Sequence, residues 1–283
     1  MATGSYINRI HKSGLLDGRE VNHMKMIINI IVIGIVSTVI RIIGQMIIPE
    51  GTQTILEPSI FSKNGTMPLA FTIYGVLAYS VLASLFLLIK DEVSGNKVMQ
   101  GLKWGVSCSV VWIIYLLEPL PHVAMLDKIT YPIADSIVLL VMGMLSGILL
   151  GNDNNNKTKR IDLQYRPILS ITVCFVIGRL LQYIVFNSYS SFHEDMASTI
   201  VWIIVTGIVL SIAMEWLNEH LPAYKKGINA LIIGVVLFGV DLFLFNFFMP
   251  LVFDTDIPDL IMRTVVDITG VTIGCLLLKK RQS

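Results

Sequence analysis

Six ionisable residues stand where an apolar chain should carry none: Arg41, Asp135, Arg179, Asp241, Arg263 and Asp267 each fall inside a long hydrophobic run. A charge near the centre of a bilayer costs roughly 2.5–3.5 kcal/mol on insertion scales, so it persists only with a partner, with water or with a task. A seventh, Glu215, adjoins Trp216 at the end of its run, where snorkelling to the interface accounts for it. Two chemistries suit the other six. Arg41 and Arg179 facing one another would form a bidentate clamp for a carboxylate or phosphate, with Asp135, Asp241 and Asp267 balancing the empty site or relaying a proton or cation. Equally, three positive and three negative groups can neutralise one another as ion pairs that hold helix register. Arg263 and Asp267, four apart, can meet across one turn. Gln45 and Gln182, about one turn beyond the arginines, and Asn246, beyond Asp241, widen the polar site. Tyr74, Tyr79 and Tyr115 read as an interfacial belt or a packed ring.

The elements that must position these charges are transmembrane helices. The 283 residues are 54% hydrophobic and 14% charged, with a mean hydropathy of +0.73, whereas soluble domains carry about 25% charged residues. Eight runs approach the roughly 20 apolar residues that cross a bilayer; they cover 26–48, 68–89, 102–117, 132–150, 167–186, 198–216, 228–250 and 260–278. Sixteen of the twenty-one Lys and Arg fall on one side of these spans and two, Lys63 and Lys128, on the other. The positive-inside rule then places both termini in the cytoplasm. With those directions, the intramembrane charges gather in the central to outer half, as for a cavity opening outward.

The two halves resemble one another. VIRIIGQMII around Arg41 matches IGRLLQYIVF around Arg179 at a separation of 138, and GNKVMQGLKWG matches PAYKKGINALIIG at 129, which also sets Pro121 on Pro250. Gly143 and Gly147 match Gly270 and Gly274 at 127, both pairs being small-xxx-small motifs that let helices approach closely. The expected architecture is an all-α integral membrane protein of eight transmembrane helices. It comprises a polar cytoplasmic segment over 1–25, a first four-helix repeat over 26–151, a cytoplasmic linker over 152–166 and a second four-helix repeat over 167–283. Four spans per repeat make the repeats parallel, a geometry known among transporters with a site between the repeats. Met24, followed by Lys25 and the first apolar run, is an alternative start to Met1.

Several functions are disfavoured. A net charge of +1 leaves no basic surplus for nucleic acid. All five histidines lie in loops or the N-terminal segment, Cys108, Cys174 and Cys275 lie in apolar runs, and there is no H-E-x-x-H, G-x-S-x-G or phosphate-binding G-x-x-x-x-G-K-[ST] motif. No cofactor or metal is expected. The reading that results is a multi-pass cell-membrane transporter or permease for a small anionic solute rather than an enzyme. Its partners are the bilayer, a small-molecule or lipid ligand, and a second copy or another membrane subunit. The alternatives are an intramembrane enzyme acting on a lipid or lipid-linked substrate, using Glu118, His122 and Asp127 of EPLPHVAMLDK for acid–base work, and a non-catalytic sensor, immunity or assembly factor.

Overall fold

A computed structural model describes residues 3–49, 51, 53–153 and 164–278. Residues 154–163 of the linker, with Lys157, Lys159 and Arg160, and the terminal Lys279, Lys280 and Arg281 lie outside the described residues. The described chain is helical: α1 (Thr3–Ile47), α2 (Ile60–Lys63), α3 (Met67–Leu85), α4 (Lys97–Leu116), α5 (Asp127–Leu150), α6 (Tyr165–Ile184), α7 (Met196–Glu219), α8 (Lys226–Leu231), a π-helical stretch (Ile232–Gly239), α9 (Val240–Asn246), α10 (Met249–Val252) and α11 (Ile257–Cys275). Six helical segments are long and apolar enough to cross a membrane, as expected of a multi-pass membrane protein: Val21–Ile47, Met67–Leu88, Asp127–Leu150, Tyr165–Ile184, Met196–Glu219 and Lys226–Val252.

Two of the eight expected spans, α4 and α11, do not reach that apolarity. The first carries Lys97, Gln100 and Lys103, the second Asp259, Arg263 and Asp267. Both are shielded by neighbours. The helix α4 packs along α5 and touches α7 and α9, while α11 packs along α6 and the π-helical stretch. Around them α1 packs on α3 and α5, and α6 packs on α7. The lipid-compatible side chains point away, as with Ile27, Ile31 and Ile35 on α1 and Ile129, Ile133 and Ile137 on α5, all exposed.

Local chemistry sets where the helices begin. Asn96, Asp195 and Asp256 accept the backbone N–H of Met99, Ser198 and Asp259 at 2.9, 3.1 and 3.4 Å, satisfying donors that a helix start leaves free. Pro68 and Pro258 occupy first turns, where a missing N–H costs little. The two glycine motifs work against different neighbours. A Cβ at Gly143 would lie 2.4 Å from the Gly101 carbonyl oxygen of α4, whereas one at Gly274 would lie 2.5 Å from Ile171 Cα of α6.

At the end opposite Lys90, Lys97 and Lys103, the connections are bonded to one another. Ser59 N–H donates to Val252 O at 3.0 Å and its hydroxyl to Leu251 O at 2.7 Å. The Asp254 N–H reaches Glu57 O at 2.8 Å, and Gly51 N–H donates to the Asp127 carboxylate at 2.7 Å. The segment between α1 and α3 is thereby strapped over α10.

Candidate functional site

The buried charges form two constellations joined by aromatic rings. In the first, Arg41 of α1 meets Asp135 of α5 at 2.8 Å and donates to the Tyr79 hydroxyl of α3 at 2.9 Å. Its guanidinium lies 4.5 Å from the Phe248 ring centre, with Phe71 and Trp112 at 5.3 and 5.5 Å, distances at which a ring face attracts a cation. In the second, Arg179 of α6 meets Glu118 at 2.8 Å and Asp267 of α11 at 2.7 Å, above the Trp202 ring at 4.8 Å. Arg263 donates to the same Glu118 oxygen at 2.9 Å, as does the Tyr183 hydroxyl at 3.0 Å. Asp267 also accepts from Tyr115 at 3.0 Å and from Gln182 at 2.8 Å. All six ionised residues of the two groups are nearly sealed from solvent, so each must be matched where it sits.

Asp241 differs. It is 3% exposed, and among the described residues its one hydrogen bond is from the Trp112 indole N–H at 2.6 Å. Among the described residues no cation lies within ion-pair distance of it. Trp112 stands between Asp241 and Arg41, and Phe245 links its ring to that of Tyr115, with centres 5.3 and 6.0 Å away. Asp241 lies two residues past the π-helical stretch, in the first turn of α9.

The structure therefore brings Asp135 to Arg41, and Asp267 and Gln182 to Arg179. Among the described residues Arg41 and Arg179 share no side-chain partner. Gln45 is half-exposed and joins neither group, and Asn246 donates to Thr264 at 2.7 Å. The expected turn-to-turn pair of Arg263 with Asp267 is replaced by Arg263 with Glu118, because Arg179 and Gln182 have already taken Asp267. Glu118 sits just past α4, buried at 4% exposure among two arginines and a tyrosine rather than free in a loop. Glu215 does not snorkel; it is 6% exposed and accepts the Gln164 backbone N–H at 3.0 and 3.1 Å, anchoring the start of α6.

Above the second constellation, in the connection after α4, His122 Nδ1 lies 3.0 Å from the Tyr189 hydroxyl, with its ring against Phe253. Burial, and then the positive charge of Arg263, push the imidazole down to about 4, so it is neutral near pH 7. Burial likewise raises the Tyr189 phenol above its ordinary value. Among the described residues no three His, Cys, Asp or Glu side chains are grouped as a metal site would need.

The chain matches no family model, no curated protein and no solved structure.

Proposed function

We propose that the protein is a small proton-coupled membrane carrier, in which Asp241 is the group that loads and the two arginine constellations hold the helices around it. The observation that carries this is the Asp241 carboxylate, buried in the bundle with an indole N–H as its partner and no cation beside it among the described residues. A buried acid in that setting invites a proton or a cation, because leaving it ionised and alone is costly. The neighbouring π-helical stretch supports the reading, since such distortions gather at functional sites. Loading Asp241 also requires no existing pair to break.

In this proposal the protein is an eight-helix bundle of two parallel repeats, with α4 and α11 as the third and eighth spans and both termini in the cytoplasm. Helix adjacency supports the repeat. In each half the first long helix packs on the second and fourth, and the third packs on the fourth. The site also supports it: an arginine on the first helix meets an aspartate on the fourth in both halves, Arg41 with Asp135 and Arg179 with Asp267. That match needs a separation of 132 in the last helix rather than the 127 that superposes the glycines, and the glycines do face different neighbours. At 129, Trp112 and Asp241 are equivalent positions, which puts their hydrogen bond near the axis between the repeats.

A second reading, transport of a small anion, draws on the Nε–H groups of Arg41, Arg179 and Arg263, which are buried with no acceptor among the described residues. An anion bound there would use those N–H groups while the carboxylates stay paired.

The test is flux. Protein in liposomes with an internal pH dye is exposed to a panel of small carboxylates, phosphates and amines. Proton movement driven by one class, abolished in Asp241→Asn that still elutes as a folded species, is the expected result. No solute-driven proton movement, or movement unchanged in Asp241→Asn, would overturn it. Flux that survives Asp241→Asn but needs Arg41 and Arg179 would select the anion reading.

A further inference from the structure

At the lysine-rich end, α1, the 3-10 turn Phe86–Leu88 after α3 and the end of α5 enclose a groove of about 230 Å3. Its polar wall is Asn22, Lys25 and Asn29 on α1 with Lys90 opposite, and its apolar floor includes Leu87 and Leu149. Among the described residues no acid holds either lysine tightly there. Lys90 reaches Asn152 only at 3.4 Å and the Asp91 carboxylate at 4.0 Å, and Lys25 is exposed. Asn29 braces the groove by donating to Leu149 O at 3.2 Å. The groove sits where membrane-crossing segments end, Val21 opening one and Leu88 closing another. From its Lys25 side the exposed Ile28, Val32, Val36 and Val39 run along the same face of α1 into the apolar layer.

We propose that this groove binds the phosphodiester headgroup of an anionic phospholipid, whose acyl chains lie along Ile28, Val32, Val36 and Val39 of α1. Two ammonium groups and two amides meet a phosphate, and the apolar floor meets the glycerol and the first methylenes. Basic pockets between membrane helices favour anionic headgroups for this reason. A zwitterionic lipid brings its own cation toward Lys25 and Lys90 and is disfavoured. Free phosphate would use the lysines but leave the floor and the apolar stripe of α1 uncovered. The site is independent of what the bundle carries.

The test compares detergent-purified protein with phosphatidylglycerol, with phosphatidylcholine of the same chains and with inorganic phosphate, reading thermal stabilisation and the lipid retained in native mass spectra. Phosphatidylglycerol should bind at least about tenfold more tightly than phosphatidylcholine, each interfacial lysine contributing roughly fivefold. Lys25→Gln/Lys90→Gln should lose the preference and Lys25→Arg/Lys90→Arg should keep it. Lys225→Gln/Lys226→Gln, exposed at the same end but outside the groove, removes equal charge and should keep it too. If the double glutamine variant does not fold, Lys25→Gln alone should weaken the preference roughly fivefold. Equal binding of the two lipids, inorganic phosphate matching phosphatidylglycerol, or a preference that persists without Lys25 and Lys90 would overturn the assignment. Its loss in the Lys225/Lys226 variant would do the same.

Discussion

Arg41 and Asp135 offer a clean test of whether a buried ion pair holds this bundle, because each is the other's ionised partner, at 2.8 Å with side chains 8% and 3% exposed. Charges about 4 Å apart attract by about 4 kcal/mol at an effective dielectric constant of 20, and removing one member of a buried pair typically costs roughly 3–5 kcal/mol. The two single losses should differ. In Asp135→Asn the guanidinium keeps the Tyr79 hydroxyl at 2.9 Å and the Phe248 face at 4.5 Å, so the loss should lie near 3 kcal/mol, the lower end of that range. In Arg41→Gln the carboxylate of Asp135 keeps no charged donor, and the loss should approach the upper end of about 5 kcal/mol. The double variant leaves two neutral amides in the same place, and its loss should fall short of the sum of the singles by about 2 kcal/mol or more. The assay is reversible unfolding by SDS in mixed micelles, followed by tryptophan fluorescence. Additivity within about 0.5 kcal/mol, or an Arg41→Gln loss below about 1 kcal/mol, would refute the claim that this pair holds α1 to α5.

Two further outcomes follow from the packing and the loops. Gly101→Leu should abolish the folded protein, since even a Cβ there would lie 2.0 Å from the Gly143 carbonyl oxygen, whereas Gly44→Ala, with nothing within 4 Å, should change stability by no more than about 1 kcal/mol; size-exclusion profiles of the two variants check this. His122 is held neutral down to about 4 in the fold but protonates near 6.5 when unfolded, so the unfolded state binds the extra proton first. Stability should therefore fall as pH drops from about 6.5 to about 4, by about 1 kcal/mol once water near the loop is allowed for, and His122→Asn should flatten that part of a melting-temperature profile.

The apolar runs were readable because a membrane span writes its length directly into composition. The expected runs 68–89, 132–150 and 228–250 overlap the apolar helical segments Met67–Leu88, Asp127–Leu150 and Lys226–Val252. Their ends shift by up to five residues, because Asp127 and its neighbours continue the helix on hydrogen bonds that a hydropathy window does not see. The arginine–aspartate partnership was readable as a set of charges but not as pairs. Pairing depends on helix rotation, and Arg263 turns to Glu118 only because Asp267 is already engaged. Glu118 was legible as a loop acid but not as the partner of two arginines, for a different reason. It stands in a Pro-rich stretch, EPLP, that reads as a loop, yet Tyr183 and two arginines close over it. Trp112 did carry a trace, since the 129-residue register that pairs Gly105 with Gly234 also pairs Trp112 with Asp241.

The charge count is where sequence and structure part most usefully. Three arginines against Asp135, Asp241 and Asp267 balance on paper, and that balance hides which acid is spare. Once Glu118 is drawn in, Arg41 with Asp135 closes one group, and Arg179 and Arg263 with Glu118 and Asp267 close the other. Asp241 is left over. A structural role would be served as well by an apolar side chain of similar size, since buried ion pairs and lone acids generally cost stability relative to such replacements. Asp241→Asn, which keeps the shape and an acceptor for the Trp112 indole, should then fold as well as the wild type or better. If it also abolishes flux, the acid is present for what it binds; if it abolishes folding, Asp241 belongs to the scaffold and the loading group lies elsewhere.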